Sequence, residues 1–267
     1  LMKEDIPEGQ LVDYLIASAS LPIFQLDKLD DKLYLDGFLS DNTPVGLLAN
    51  KKYDDIIVLR LSNDVTGDKN LKKYVDINLT VIKPSMDLGG SLNKDKDHME
   101  KLFKLGYMDV MKTYKRYDGV KYFFNADFIY DENTCFDMIT NLNIKTIQDI
   151  CKILKIKREP SLRVLLENII PQIGDILHLE KEFTYKDIFY SIYERILEEN
   201  NIDVLKLYDF SKVIDLVNSQ IEPIDYDYDN NDNKHIISLN KKEKIEKAII
   251  NKILNDFKNQ SLRKMPI

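Results

Sequence analysis

The run Asp55-Ile56-Ile57-Val58-Leu59-Arg60-Leu61 constrains the fold more than any other stretch of this chain. Its apolar, largely β-branched residues follow one another without the alternation that a solvent-facing side imposes. Such a run reads as a strand buried on both faces, the habit of parallel sheets covered by helices. Two further strand-like segments flank it, Lys32–Asp36 (KLYLD) and Val75–Ile82 (VDINLTVI). Between the first two a short helix is expected at about 44–52, with Asn42 or Thr43 as its cap and Pro44 in its first turn. Strand, helix and strand joined by short links predict a parallel crossover.

Helices complete the pattern. Residues 11–22 (LVDYLIASASLP) predict one that ends before Pro22, with Ala17, Ser18, Ala19 and Ser20 small enough for close backbone approach. A longer one, from about Asp95 to Tyr117, is expected to stop at Asp118-Gly119, where glycine suits a left-handed cap. Beyond residue 134 helical periodicity dominates, with candidates at 144–156, 161–170, 185–199, 210–217 and 241–257. Thr184 with Asp187, and Asn240 with Glu243, are spaced as capping boxes. The predicted architecture is α/β: a domain over 1–133 with a parallel or mixed sheet and flanking helices, then an all-helical region over 134–267. The chain opens on Leu1 rather than methionine, so further residues upstream are expected.

Composition excludes several classes. Charged residues are 31% and hydrophobic ones 44% of the chain, the balance of a folded soluble protein. No apolar run approaches the roughly 20 residues that span a bilayer, and the acidic start, broken by Pro7 and Gly9, is no secretory signal. The expected location is cytoplasmic, with peripheral membrane contact as an option. A net charge of −7 argues against nucleic acid as a partner. The acidic run 225–232 reads as a solvated linker that lacks the glycine and glutamate of a calcium loop. The helix at 240–258 carries lysines around an isoleucine stripe. It reads as an ordinary helix packing that stripe on the core, the alternative being one that meets anionic lipid.

The nine glycines fall at 9, 37, 46, 67, 89, 90, 106, 119 and 174. None are spaced for a GxSxG nucleophile elbow, a GxGxxG dinucleotide loop or a GxxxxGK phosphate loop. His98, His178 and His235 are too scattered for a metal site, and His98 reads as a surface residue. Cys135 and Cys151 form no CxxC; Cys151 lies on an apolar helical face as a small buried hydrophobe. No cofactor and no metal are expected.

Asp36 remains. It would stand at the carboxyl end of a strand, before Gly37 and a helix start, where open α/β sheets present catalytic groups. A lone Asp-Gly is usually only a turn. However, the run Asp13-Tyr14-Leu15-Ile16-Ala17-Ser18-Ala19-Ser20-Leu21-Pro22, then Leu33-Tyr34-Leu35-Asp36-Gly37, then Asn42-Thr43-Pro44, resembles the carboxy-terminal half of the patatin-like phospholipase domain. Ile82-Lys83-Pro84-Ser85, Leu88-Gly89, Gly106-Tyr107 and Asp109 resemble a block of its bacterial members. The likeness covers about residues 10–115.

The resemblance implies a lipid acyl hydrolase with a serine–aspartate dyad. A serine on a GxSxG elbow attacks the ester, an aspartate takes its proton, and a glycine-rich loop holds the oxyanion. Asp36 matches the catalytic aspartate. The serine and the oxyanion loop match nothing here, so this chain alone is expected to be inactive; Ser20 and Ser40 lie on no elbow. Phe38 also departs from the glycine or alanine usual after Asp-Gly. The implied partners are a phospholipid or other acyl-ester lipid and the missing N-terminal segment of the same domain. The alternative is a non-catalytic helical module, binding a partner or membrane, on a degenerate hydrolase scaffold.

Overall fold

The computed structural model describes residues 3–20, 28–29, 31–39, 41, 43–61, 71–90, 93, 95–126, 130–220 and 238–264, with the backbone alone at 3, 38, 238–241 and 261–264. Leu21, Pro22, Ser40, Asn42, the acidic run and His235 therefore lie outside it. The chain is mixed α/β and packs as two compact units, Leu1–Lys83 and Pro84–Ile267. The division expected after residue 133 instead falls inside the second unit, because the 117–125 region builds a sheet with residues from the helical part.

In the first unit, α1 is Leu11–Ser18 and α2 is Val45–Ala49. Strands β1, Asp55–Leu59, and β2, Asn78–Ile82, pair in parallel, Ile56 opposite Leu79 and Val58 opposite Val81. Val45, Ile56, Val58 and Leu71 form the buried cluster, with Tyr74, Ile77, Leu79 and Val81 against it. The expectation of a β1 buried on both faces is corrected: Ile56 and Val58 point inward, while Ile57 is 57% and Leu59 70% exposed. The expected strand at 32–36 is also absent. Asp31 takes φ 57°, a left-handed conformation that folds Leu29 and Lys32 onto each other in a tight two-way bridge. Residues 33–36 then belong to no strand of the ladder. Pro44, rather than Asn42 or Thr43, stands at the α2 cap position, with no side-chain hydrogen bond.

In the second unit, α3 is Lys96–Thr113, followed by β3, Tyr117–Asp118, and β4, Phe123–Asn125, an antiparallel pair. Then come α4, Glu132–Thr140, and α5, Ile144–Ile153. Next, α6, Leu162–Val164, passes through a π turn at Leu165–Ile169 into α7, Ile170–Ile176. The single helix expected at 161–170 is thus longer and widened. Pro171 has no N–H to give a carbonyl four residues back, and a π turn just before it absorbs the mismatch. Helix α8, Tyr185–Glu199, opens with the predicted Thr184–Asp187 capping box. Strand β5, Leu207–Tyr208, pairs in parallel with β4. Helices α9, Phe210–Gln220, and α10, Ser238–Lys264, complete it. Since α10 already begins at Ser238, Asn240 lies within the helix and does not cap it.

The core of this unit is built around α8. Ile188, Phe189, Tyr190, Ile192, Tyr193 and Leu197 are all buried. Phe189 meets Tyr130 at 5.4 Å, Tyr193 at 5.2 Å and Phe257 at 5.4 Å, ring centre to ring centre. The α10 stripe is buried in the same core through Ile249, Ile253 and Phe257. Of its lysines, Lys252 bonds Asp149 at 2.8 Å and Lys247 lies 3.5 Å from Glu199. Meeting a membrane through the stripe would therefore require pulling α10 off its own unit.

Asp118-Gly119 is not a helix stop, as the sequence suggests, but the corner of the β3–β4 hairpin. Gly119 takes φ +100°, and a Cβ there would lie 2.5 Å from the Tyr122 carbonyl oxygen. The turn that results presents the N–H groups of Val120, Lys121 and Tyr122 to one carboxylate, Glu194 of α8, at 2.7, 2.9 and 3.3 Å.

Candidate functional site

Asp36 is half-buried and sits where two of the resembling blocks meet. Its N–H donates to the Ser20 carbonyl at 2.9 Å, joining the small-residue end of α1 to the Asp-Gly corner. Ser20 itself turns back, its hydroxyl donating to the Ile16 carbonyl at 3.0 Å, while Ser18 and Ala19 of the small-residue run are exposed. The Tyr14 and Tyr34 rings pack edge to face at 5.3 Å between the same two segments. After Asp36 the chain makes a 3-10 turn, Gly37–Leu39, in which the Leu39 N–H donates to the Asp36 carbonyl at 3.0 Å. Gly37 has open space where a Cβ would be and no left-handed φ. Asp41 then steadies the approach to α2, accepting the Thr43 N–H at 3.1 Å. The structure thus places Asp36 on a loop corner rather than at a strand end, with α1 behind it and α2 ahead.

Residues 84–109 assemble separately, within the second unit. Ser85 donates its N–H to the Asp109 carboxylate at 3.1 Å. Asp109 is only 5% exposed, and its burial raises the carboxyl pKa against the lowering influence of Ser85 and Lys112. Met86 and Leu88 pack against Leu105, Met108 and Phe123. Gly89, at φ +72°, lies close under the His98 ring. His98, expected at the surface, is instead half-buried, and its Nε2 atom is buried without a hydrogen-bond partner. Gly106 and Tyr107 stay exposed on the outer side of α3.

Among the described residues, no group of His, Cys, Asp and Glu is arranged to hold a metal ion. Cys135 and Cys151 are both free and buried. Burial pushes the Cys135 thiol up to about 12 and raises that of Cys151 as well. Among the described residues no helix is long and apolar enough to cross a membrane.

Sequence reasoning missed Glu194 and Lys112. Lys112 ends α3 and donates to the Val120 carbonyl at 2.8 Å, on the same turn that Glu194 holds from the other side. A glutamate and a lysine inside amphipathic helices read as solvated positions. The signal that could have marked them is Gly119 between two β-prone segments, since a left-handed corner often gathers its N–H groups toward an anion.

No family model, curated protein or solved structure matches this chain.

Proposed function

We propose that this chain supplies the aspartate half of a serine–aspartate acyl hydrolase of the patatin-like class, acting on phospholipid or another acyl-ester lipid. The supporting observation is the Ser20–Asp36 hydrogen bond at 2.9 Å, which brings the small-residue block and the Asp-Gly block to one point. In this reading the Asp36 carboxylate takes the proton of a serine hydroxyl as that hydroxyl attacks the ester carbonyl. Backbone N–H groups of a glycine-rich loop hold the oxyanion that forms. Serine and loop come from polypeptide other than these 267 residues, either in the same chain or tightly associated with it. Exposed Leu33, Leu35, Ile57 and Leu59 give that polypeptide an apolar surface to cover.

The test is fluorophosphonate labelling. The chain alone should remain unlabelled. A longer product of the same gene carrying GxSxG should be labelled, and Asp36→Asn should abolish turnover of an acyl-ester substrate in it. Labelling of the chain alone, or full turnover by the Asp36→Asn variant of the longer product, would sink the proposal.

One observation favours the second reading, a non-catalytic helical module on a degenerate scaffold: residues 33–36 join neither β1 nor β2. A coding sequence with a start codon immediately before Leu1 would select it.

A further inference from the structure

We propose that the Pro84–Ile267 unit carries a second site, independent of Asp36, in which the Lys112 amine binds a small aldehyde as a Schiff base. A cleft of about 520 Å³ opens between the end of α3, the β3–β4 hairpin and the first turns of α4 and α8, with Lys112, Tyr117, Asp118, Ala126, Lys186 and Tyr190 among its walls. That volume suits a small organic molecule.

Most charged groups of this cleft are already engaged. Lys186 bonds Asp118 at 2.6 Å. Glu132 accepts the Tyr185 and Lys186 N–H groups at 3.0 and 2.9 Å. Asp131 caps α4 through the Thr134 N–H, and Asp187 closes the Thr184 capping box. Lys112 differs from its neighbour Lys186. Among the described residues it makes no salt bridge within 4.0 Å, and its one hydrogen bond goes to a neutral carbonyl, that of Val120. Its ammonium lies 4.1 Å from the centre of the Phe123 ring, which is wholly buried.

Lys112 is thus drawn into a poorly solvated place with no carboxylate in contact. Desolvation lowers its pKa below the usual lysine range. The more distant carboxylates that face it, Glu194 and Asp187 on α8, Asp109 on its own helix and Asp118 on β3, oppose this without cancelling it. A lysine so placed carries more free amine at neutral pH, the form that attacks carbonyl carbon. In the reaction the amine nitrogen forms a C–N bond to the aldehyde carbon. The carbonyl oxygen then leaves as water with both protons from nitrogen, and a C=N bond remains; no oxidant or reductant is consumed. Tyr190, whose hydroxyl lies 3.4 Å from Asp118 Oδ2, puts a proton-carrying pair on the wall of the same cleft.

The experiment is reductive trapping on the intact chain, with propanal and cyanoborohydride at about pH 7.5, followed by peptide mapping. Lys112 should be modified faster than Lys101 and Lys104, which are exposed on the same helix. The preference should vanish in urea, and its pH profile should level off earlier than theirs. Modification of Lys112 no faster than the exposed lysines, a preference that survives unfolding, or a profile that rises in parallel with theirs would each overturn the proposal. K112M, checked by far-UV circular dichroism, should remove the fast-labelled site. Because the wild-type map is decisive alone, a variant that fails to fold leaves the test intact.

Discussion

Replacing Glu194 by alanine should destabilise the second unit by about 2–4 kcal/mol, since three N–H groups, part-buried at Val120 and Lys121 and buried at Tyr122, lose their acceptor at about 1–3 kcal/mol each, discounted for the part-buried pair and for the relief of a buried charge. Glu194 is 4% exposed, so water cannot readily take the place of its carboxylate. The two short contacts, to Val120 and Lys121 at 2.7 and 2.9 Å, carry most of this; the Tyr122 contact at 3.3 Å adds less. Glu194→Gln keeps one acceptor oxygen and should cost about half as much. The pH dependence separates charge from shape. Burial raises the Glu194 pKa above its ordinary value of 4.5. The folded state therefore binds its proton more tightly than the unfolded state does. That contribution is fully present below the unfolded value, is lost as pH rises through the folded one, and is flat above it. The stability gap between wild type and Glu194→Gln should accordingly narrow as pH rises from about 4.5 toward neutrality. The assay is urea unfolding followed by near-UV circular dichroism of the tyrosine cluster, the chain having no tryptophan. If Glu194→Ala unfolds within about 0.5 kcal/mol of wild type, the carboxylate does not hold the hairpin and the reasoning fails.

Gly119→Ala should be costly for a different reason. Its Cβ would meet the Tyr122 carbonyl oxygen at 2.5 Å and Glu194 Oε1 at 2.9 Å, at a φ of +100° that side chains avoid. A loss of about 2–4 kcal/mol is expected in the same unfolding assay, and a change under about 0.5 kcal/mol would refute it. The buried thiols give a third prediction. With Cys135 pushed up to about 12 and Cys151 also raised, the native chain should react negligibly with Ellman's reagent at about pH 8, and both thiols should appear in guanidinium. Prompt native reaction would contradict their burial.

What could be read from the sequence was whatever a single segment specifies. Helix α8 matches its predicted range because Thr184, Asp187 and the Ile188–Ile192–Ile196 spacing are local instructions. The parallel strand at 55–59 was legible for the same reason, and the burial of Cys151 follows from the apolar face it shares with Ile147 and Ile150. The misreadings share a cause: each depended on a partner far along the chain or on a local backbone turn that propensity does not report. Residues 33–36 have strand propensity, but the turn at Asp31 closes Leu29 onto Lys32, and Asp36 gives its N–H to the Ser20 carbonyl rather than to a strand. Asp118-Gly119 looked like a helix stop because Glu194, the group that fixes its conformation, lies more than seventy residues later. Asn143 begins α5 with an N–H bonded to Asp256 on α10 at 2.6 Å, a contact no periodicity encodes.

The two units also differ in how far their own residues account for them, and this bears on function. In the second unit the long core from Tyr122 to Phe257 takes in most of α8, and the amphipathic stripes of α5, α9 and α10 all end in it. In the first, among the described residues, a two-stranded sheet packs on the small cluster of Val45, Ile56, Val58 and Leu71 while Leu11, Val12, Leu15 and Ile16 of α1 stay exposed. Two strands alone are marginal in water, and a helix the length of α1 holds only by packing its apolar residues. A segment written as though buried on both sides, yet covered on one, calls for something on the open side. The unit bearing Asp36 is thus the one whose described helix and strands leave apolar side chains in the open, Leu15 and Ile16 of α1 and Ile57 and Leu59 of β1 among them.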